Sequence, residues 1–295
     1  MNGDAVNGDA VNAAGPDRDR ADWPFANPVL TASGCGGTGR ELAAYGELGT
    51  LGGFVTRSIT VQPRPGARAP RIAESPSGLV NAIGLQNPGV EAFLADELPA
   101  LVQLGATVVA SVAGHSLGEY AEVARALGRA PGVVALEVNL SVPDPSGAEV
   151  LDLREPFDAA NVIAACRRDL PRDILVLAKL RSDAHQVVES ARAMVDAGAD
   201  VLVVGNALLA TMPDGRPGGL SGPAIGPVAL HCVRLVCDAL PGYPVIGVGG
   251  IMDARDARTF LAAGARAVQV GSALFHDPTT AHRIVKALAA GGDQS

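Results

Sequence analysis

The sequence has few aromatic residues, few cysteines and no clustered basic residues. Only 3% of its 295 residues are aromatic, and its four cysteines form no CxxC pair, which excludes the usual spacing of zinc or iron–sulfur ligands. No apolar run approaches the roughly 20 residues that span a bilayer. Basic residues number 23 against 31 acidic ones, so binding to nucleic acid or an anionic membrane is not expected. With few cysteines and no recognisable signal peptide, we expect a cytoplasmic protein.

Short apolar runs alternate with amphipathic stretches such as 117–127, 183–197 and 253–263. Continuous apolar runs predict strands that are covered on both faces, and therefore parallel pairing. Eight such β/α units predict a (β/α)8 TIM barrel, in which the chemistry lies at the C-terminal ends of the strands. The candidate strands are 28–31, 53–56, 107–112, 133–138, 174–178, 200–204, 244–248 and 267–270.

The chain ends and two long connections differ from this pattern. Residues 1–22 are polar and contain a five-residue direct repeat, which predicts a disordered tail because such a composition cannot bury a core. Residues 23–290 are expected to form a single domain. Segment 61–94 is predicted to be an ordered excursion over the barrel mouth, and segment 211–227 a Gly/Pro-rich loop that acts as a lid.

One motif imitates a dinucleotide-binding fingerprint. Residues 34–39, Gly-Cys-Gly-Gly-Thr-Gly, match GxGxxG after a predicted strand. A Rossmann fold would need an acidic residue at the end of the next strand, but that strand ends in Thr56-Arg57-Ser58. The motif therefore indicates a strand-to-helix turn.

A second motif imitates a nucleophile elbow. Residues 114–119, Gly-His-Ser-Leu-Gly-Glu, match GxSxG and resemble a string found in acyl-carrier acyltransferases. Ser116 and Glu119 also fit a capping box, in which the serine begins a helix. An acyltransferase that uses Ser116 stays open as an alternative function.

Small, amide and cationic residues follow the predicted strands. Gly249-Gly250 and Gly271-Ser272 follow strands seven and eight, where glycine loops of TIM barrels expose backbone N–H groups and bind phosphate. Lys179 ends strand five and would be costly to bury unless it faces an anion or an electron-rich ring, or pairs with a carboxylate across the barrel.

Residues 26–288 resemble class 1 dihydroorotate dehydrogenases, most closely the B subtype. The resemblance lies in the stretches Asn-Pro-Val-Leu-Thr-Ala-Ser-Gly (27–34), Pro-Arg-Ile-Ala-Glu-Ser (70–75), Gly-Leu-Val-Asn-Ala-Ile-Gly-Leu-Gln-Asn-Pro-Gly (78–89), Gly-Gly-Leu-Ser-Gly-Pro-Ala-Ile (218–225) and Gly-Val-Gly-Gly-Ile (247–251). It implies a TIM barrel with FMN at its C-terminal mouth, and an FMN-dependent oxidoreductase that acts on a CH–CH or C=C bond.

The resemblance also implies roles for individual residues. The residues expected to line the isoalloxazine and ribityl chain are Ala32, Ser33, Ser58, Asn139 and Lys179. Those expected around the ribityl chain and phosphate are Gly222, Gly249, Gly250, Gly271 and Ser272. The amides expected to bind the substrate are those of Asn81, Asn139 and Asn206.

Departures from the family pattern concentrate on the substrate side. The general base, a cysteine in class 1, is replaced by Val142, which has no proton-accepting atom. Asp144 replaces an asparagine, Arg57 a lysine and Ala207 a serine or threonine. Arg57, Asp144 and Ala207 are expected to shape substrate binding, and Arg57 and Lys179 remain the charged candidates for catalysis.

These departures lead to a primary hypothesis of an FMN oxidoreductase whose substrate is not dihydroorotate. The alternatives are a genuine dihydroorotate dehydrogenase of pyrimidine biosynthesis, a flavin-binding subunit without turnover, and the acyltransferase. The resemblance further implies a homo-oligomer and a separate electron-transfer subunit with FAD and an iron–sulfur cluster, since the chain has no cluster ligands of its own.

Overall fold

The computed structural model describes residues 23–140, 153 and 155–291, so the predicted tail, Val142 and Asp144 lie outside the described residues. Its strands are β1 (Val29–Thr31), β2 (Phe54–Val55), β3 (Ile72–Ser75), β4 (Gly78–Asn81), β5 (Val108–Val112), β6 (Val133–Asn139), β7 (Leu175–Leu180), β8 (Val201–Val204), β9 (Leu208–Thr211), β10 (Pro217–Ser221), β11 (Val245–Val248) and β12 (Ala267–Val270). Its α-helices are α1 (Arg40–Ala43), α2 (Val90–Ala92), α3 (Leu98–Gln103), α4 (Leu117–Leu127), α5 (Pro156–Asp169), α6 (Val187–Asp196), α7 (Gly226–Ala239), α8 (Ala254–Ala262), α9 (Ala273–His276) and α10 (Thr280–Ala290). Single 3₁₀ turns lie at Leu48–Thr50 and Pro223–Ile225, and a π-helical turn lies at Phe93–Glu97.

Eight parallel strands form the barrel in the order β1-β12-β11-β8-β7-β6-β5-β2. The two edge strands meet through a parallel bridge between Leu30 and Gly53, and the backbone N–H of Thr31 donates to the Gly53 carbonyl at 3.0 Å. The ladder is therefore closed, and the prediction of a TIM barrel is confirmed. All eight predicted strands are present, with bounds that differ by at most two residues.

The barrel interior is apolar in its lower part and polar just below the mouth. Ala135 and Leu177 pack inside the barrel, while alternate residues of the same strands pack outward against the helices. Two positions further along these strands, Glu137 and Lys179 are buried, and Gln269 of β12 is buried with them. Burial of both strand faces explains the continuous apolar runs, and the three polar residues interrupt them.

The motif at residues 114–119 begins a helix. Ser116 is the N-cap of α4, and its Oγ accepts a hydrogen bond from the backbone N–H of Glu119 at 3.2 Å. The Glu119 carboxylate accepts from the backbone N–H of His115 at 2.8 Å, one residue before the position that a capping box would use. The predicted span of α4 is confirmed. None of the helices within the described ranges is both long and apolar enough to cross a membrane.

A second sheet, which we term the cover sheet, has four antiparallel strands in the order β3-β4-β10-β9. It joins the first excursion to the second, because Gly219 and Leu220 of β10 pair with Asn81 and Val80 of β4. The prediction that 211–227 is a loop is wrong for Pro217–Ser221, which is a strand, and its role as a lid stays a prediction. Its two glycines and proline carry no strand signal of their own, and pairing with β4 and β9 imposes the extended conformation.

An arginine ties the cover sheet to the rest of the first excursion. The guanidinium of Arg216, in the β9–β10 turn, donates from Nη1 to the carbonyl of Arg68 at 3.0 Å and from Nη2 to that of Pro70 at 2.5 Å. Its Nε donates to Asp214 at 2.8 Å. The two excursions are thus held together over the barrel mouth.

Candidate active site at the barrel mouth

A cavity of about 460 Å³ lies between the C-terminal ends of the barrel strands and the cover sheet. This volume is in the range of sites that hold a cofactor or small ligand. Every predicted site residue within the described ranges lines it, and the roles assigned to them remain predictions. These residues are Ala32, Ser33, Arg57, Ser58, Asn81, Asn139, Lys179, Asn206, Ala207, Gly222, Gly249, Gly250, Gly271 and Ser272.

One wall of the cavity is built from glycine backbone. Gly250 has φ +71°, and a Cβ there would lie 2.5 Å from the Cα of Gly226 at the start of α7. Gly249 has φ +125°, and its Cβ would lie 2.8 Å from the Cβ of Ala229. Gly271 packs closely on Ala32, since a Cβ at Gly271 would come within 3.2 Å of the Ala32 Cβ. Each missing Cβ would point into neighbouring protein, so the glycines let these loops pack tightly on α7 and on Ala32 and bring their backbone to the cavity, which suits a phosphate group.

A closed ring of hydrogen bonds lies beneath the cavity. The Lys179 ammonium donates to Glu137 Oε1 at 3.0 Å and to Gln269 Oε1 at 3.1 Å, and Gln269 Nε2 donates to Glu137 Oε2 at 2.5 Å. The two interpretations of Lys179 are therefore compatible, since it pairs with a carboxylate across the barrel and also lines the cavity. Glu137 and Gln269 were not identified from the sequence. In the sequence, each of them is marked only by being a single polar residue within an apolar strand.

Three asparagine amides converge on the cavity with fixed orientations. Asn139 Nδ2 donates to Ser58 Oγ at 3.1 Å, and Asn206 Nδ2 donates to Asn139 Oδ1 at 3.2 Å. Asn81, from the cover sheet, donates from Nδ2 to the carbonyl of Gly219 at 3.0 Å. Amides held in this way can read the donors and acceptors of a flat, polar ligand.

Arg57 brings a guanidinium to the cavity from the end of β2. Its Nη2 lies 4.0 Å from Oε1 of Glu97, the last residue of the π-helical turn. Burial raises the pKa of the Glu97 carboxyl, while the charge on Arg57 acts in the opposite direction. Glu97 is thus a partner of Arg57 among the described residues. Asp144, the acidic residue expected on the substrate side, lies outside them. A planar guanidinium at this place can bind a carboxylate.

The described lining of the cavity provides no side chain that would accept a proton. Among its described lining residues there is no histidine, aspartate or glutamate side chain. Cys35 lines the cavity and was not identified from the sequence. Burial raises the pKa of its thiol to about 11, and the charge on Lys179 opposes this shift. The thiol is therefore protonated at neutral pH and does not replace the missing base.

The connection from β4 to α2 supplies further lining residues that were not identified individually, Gly84, Leu85 and Gln86. Leu85 has φ +54°, a left-handed conformation that is uncommon for a leucine. Strain of this kind often accompanies functional sites. The signal in the sequence is the stretch 78–89, one of the longest that carry the family resemblance.

Known proteins similar to this chain belong to one family. The family profile described as dihydroorotate dehydrogenase matches residues 20–291. Three similar proteins all bear the name dihydroorotate dehydrogenase B (NAD(+)), catalytic subunit. The protein of Pelobacter propionicus is 44% identical over 271 residues, covering 89% of this chain and 88% of the relative. That of Trichlorobacter lovleyi is 44% identical with the same coverage, and that of Desulforudis audaxviator is 45% identical over 86% of this chain and 85% of the relative.

The cavity fits the cofactor that this family uses. Its volume, its glycine wall and the buried cation of Lys179 match the shape, the phosphate and the electron-rich ring of FMN. The predictions of cofactor and enzyme class are confirmed, because dihydroorotate dehydrogenases are FMN-dependent oxidoreductases that act on a CH–CH donor. The chain belongs to the dihydroorotate dehydrogenase family.

Proposed function

We propose that the chain is the catalytic subunit of a B-type dihydroorotate dehydrogenase and oxidises dihydroorotate to orotate. The observation that carries the proposal is the convergence of the amides of Asn81, Asn139 and Asn206 on one cavity with the Lys179 cation. The names of the relatives, 42–45% identical over most of both chains, favour dihydroorotate over the changed substrate that the sequence suggested.

The residues of the chain bind and orient the substrate in this proposal. FMN, when bound, accepts the hydride that leaves the substrate. The three amides hold the edges of the pyrimidine ring, and the cover sheet excludes water from the face of the cavity opposite the barrel. The Arg57 guanidinium binds the substrate carboxylate, where its planar fork can donate to both oxygens.

Removal of the substrate proton is the weak step. The base position of the family is held by Val142, and the described cavity residues provide no carboxylate, imidazole or thiolate. A missing general base slows proton removal by about 10²–10⁴-fold. The proposal therefore requires slow turnover, with water as the proton acceptor.

The electrons leave through a partner subunit in this proposal. The relatives are named as catalytic subunits of an enzyme that uses NAD(+), which implies a second chain between the flavin and that acceptor. A subunit with FAD and an iron–sulfur cluster fits, because the sequence has no ligand spacing for a cluster. We extend the proposal to a homo-oligomer of the catalytic chain.

Anaerobic mixing of the FMN-loaded protein with dihydroorotate tests the substrate. The expected result is slow but complete loss of the flavin absorbance band, with dithionite as the positive control. The proposal fails if dithionite bleaches the flavin and dihydroorotate does not, even over hours.

A second candidate is oxidation or reduction of a C–C bond in a related cyclic compound that needs no enzyme base. It rests on the four departures from the family pattern, Arg57, Val142, Asp144 and Ala207. Flavin bleaching by such a compound but not by dihydroorotate would favour it. If no compound in a panel of cyclic CH–CH donors bleaches a flavin that dithionite reduces, a subunit without turnover is favoured instead.

A further inference from the structure

The buried ring of Glu137, Lys179 and Gln269 does more than satisfy its own hydrogen bonds. An ammonium has three N–H donors. Two of those of Lys179 are taken by Glu137 Oε1 at 3.0 Å and Gln269 Oε1 at 3.1 Å, and the same group borders the cavity. The ring therefore leaves one of the three donors unused by Glu137 and Gln269 at the edge of the cavity, with the Glu137 carboxylate 3.0 Å from the same nitrogen.

The geometry of the ring fixes the orientation of its members. Glu137 is completely buried and accepts on both oxygens, from Lys179 and from Gln269 Nε2 at 2.5 Å. Gln269 is also completely buried, and turning its amide over would place N–H groups against the ammonium. The amide therefore has one workable orientation, in which it links the carboxylate to the lysine and holds both still.

The charge balance of the ring then bears on the flavin. A two-electron reduced flavin carries more negative charge than the oxidised ring, so a cation beside it favours reduction. Because the Glu137 carboxylate lies 3.0 Å from the Lys179 ammonium, it would largely offset the positive charge that acts on a flavin bound in the cavity. We propose that Glu137 and Gln269 are positioning residues that set the charge Lys179 presents to FMN and thereby its reduction potential. The proposal is independent of whether dihydroorotate is the substrate.

Two isosteric variants change this charge in opposite directions. Glu137→Gln removes the offsetting carboxylate and leaves the lysine charge uncompensated. Lys179→Met removes the positive charge at nearly unchanged side-chain length. Sulfite, an anion that adds to the oxidised flavin ring, is the probe, because its affinity rises with positive charge beside that ring. The midpoint potential, measured against a reference dye, is the second readout.

We expect Glu137→Gln to bind sulfite about tenfold more tightly than the unchanged protein, since a unit charge a few ångströms away has an effect of this order in a protein site. Such a change corresponds to a midpoint about 30 mV higher for a two-electron couple. Lys179→Met is expected to bind sulfite about tenfold more weakly. FMN is supplied in excess, so that weaker flavin binding does not obscure the result.

Asp200→Asn is the matched control. Asp200 forms a half-buried ion pair, 3.0 Å from Arg167 Nη1, and it accepts from the backbone N–H of Val176 near the opposite end of the barrel. Its replacement should lower the melting temperature without altering sulfite affinity. A ring with a purely structural role would behave like this control. The proposal is overturned if Glu137→Gln does not depart from the control, or if both ring variants shift sulfite affinity in the same direction. If Glu137→Gln retains no flavin, Glu137→Met takes its place under the same criterion.

Discussion

The two sides of the cavity differ in how closely they follow the family pattern. The flavin side keeps its glycine wall and Lys179, which lies in a ring of buried partners. The predicted substrate side departs at Arg57 and Ala207 in the cavity, and at Val142 and Asp144, which lie outside the described residues. The comparison therefore separates a cofactor site that follows the family pattern from a predicted substrate site that departs from it.

The largest effect is expected from restoring the base on the substrate side. Val142→Cys should accelerate flavin bleaching by dihydroorotate by about 10²–10⁴-fold, because a positioned thiolate can then take the proton. Anaerobic stopped-flow measurement at the flavin band checks this. Val142→Ala, which changes the same side chain without adding an acceptor, is the control and should stay slow. Equal rates for the two variants would show that the missing base does not limit this chain.

The flavin side should be the more sensitive to a single methyl group. Gly250→Ala would strain a residue with φ +71° and press its Cβ against the backbone of Gly226. The displaced loop would lose a backbone hydrogen bond to the phosphate, which contributes about 1.5–3 kcal/mol, so FMN affinity should fall by about tenfold or more. Fluorescence titration of the apoprotein with FMN measures it.

Gly242→Ala separates backbone strain from loss of the cavity wall. Gly242 has φ +81° and open space where a methyl group would lie, and it precedes β11 at the end of the barrel opposite the mouth. The substitution should lower the melting temperature but leave FMN affinity unchanged. Equal losses of FMN affinity in both variants would contradict a specific role for the glycine wall.

Arg57 tests whether the substrate side still binds an anion. Arg57→Ala should weaken binding of orotate by about 10-fold or more, since a hydrogen bond to a charged group contributes about 1.5–3 kcal/mol. The change in the flavin spectrum on titration with orotate gives the dissociation constant. Arg68→Ala, which removes an exposed arginine beside Asp214, should leave this constant unchanged. An unchanged constant in Arg57→Ala would place the carboxylate elsewhere.

The smallest effect is expected at Ala207. Ala207→Ser restores one hydrogen-bonding group, and a neutral hydrogen bond contributes about 0.5–1.5 kcal/mol. Orotate should bind about two- to tenfold more tightly in the same titration. A weaker or unaltered affinity would show that the hydroxyl has no partner on this substrate, which would favour the second candidate function.

The barrel was predictable because its strands are buried on both faces and carry that burial in their composition. The strand 201–204 is apolar throughout, so its pattern alone was sufficient. The strand 217–221 was not predictable, since Pro217, Gly218 and Gly219 are poor strand formers and only pairing with distant segments holds them extended.

The candidate site shows the same division. Lys179 could be assigned to the cavity from its place at a strand end. Its partners could not, because Glu137 and Gln269 lie 42 and 90 residues away. Pairing of β6 with β7 brings Glu137 to Lys179, and curvature of the sheet into a barrel brings Gln269 of β12 to both. No residue pattern within either strand indicates that these side chains meet.

The cover sheet makes access to the cavity a property of two distant segments at once. Since β4 and β10 share a ladder and Arg216 fastens the second excursion to the backbone at Arg68 and Pro70, neither segment can swing away alone. Substrate entry through this side would have to displace the sheet as a unit. For the same reason, exchanging residues 61–94 between relatives without 208–221 would pair strands from two different proteins above the cavity.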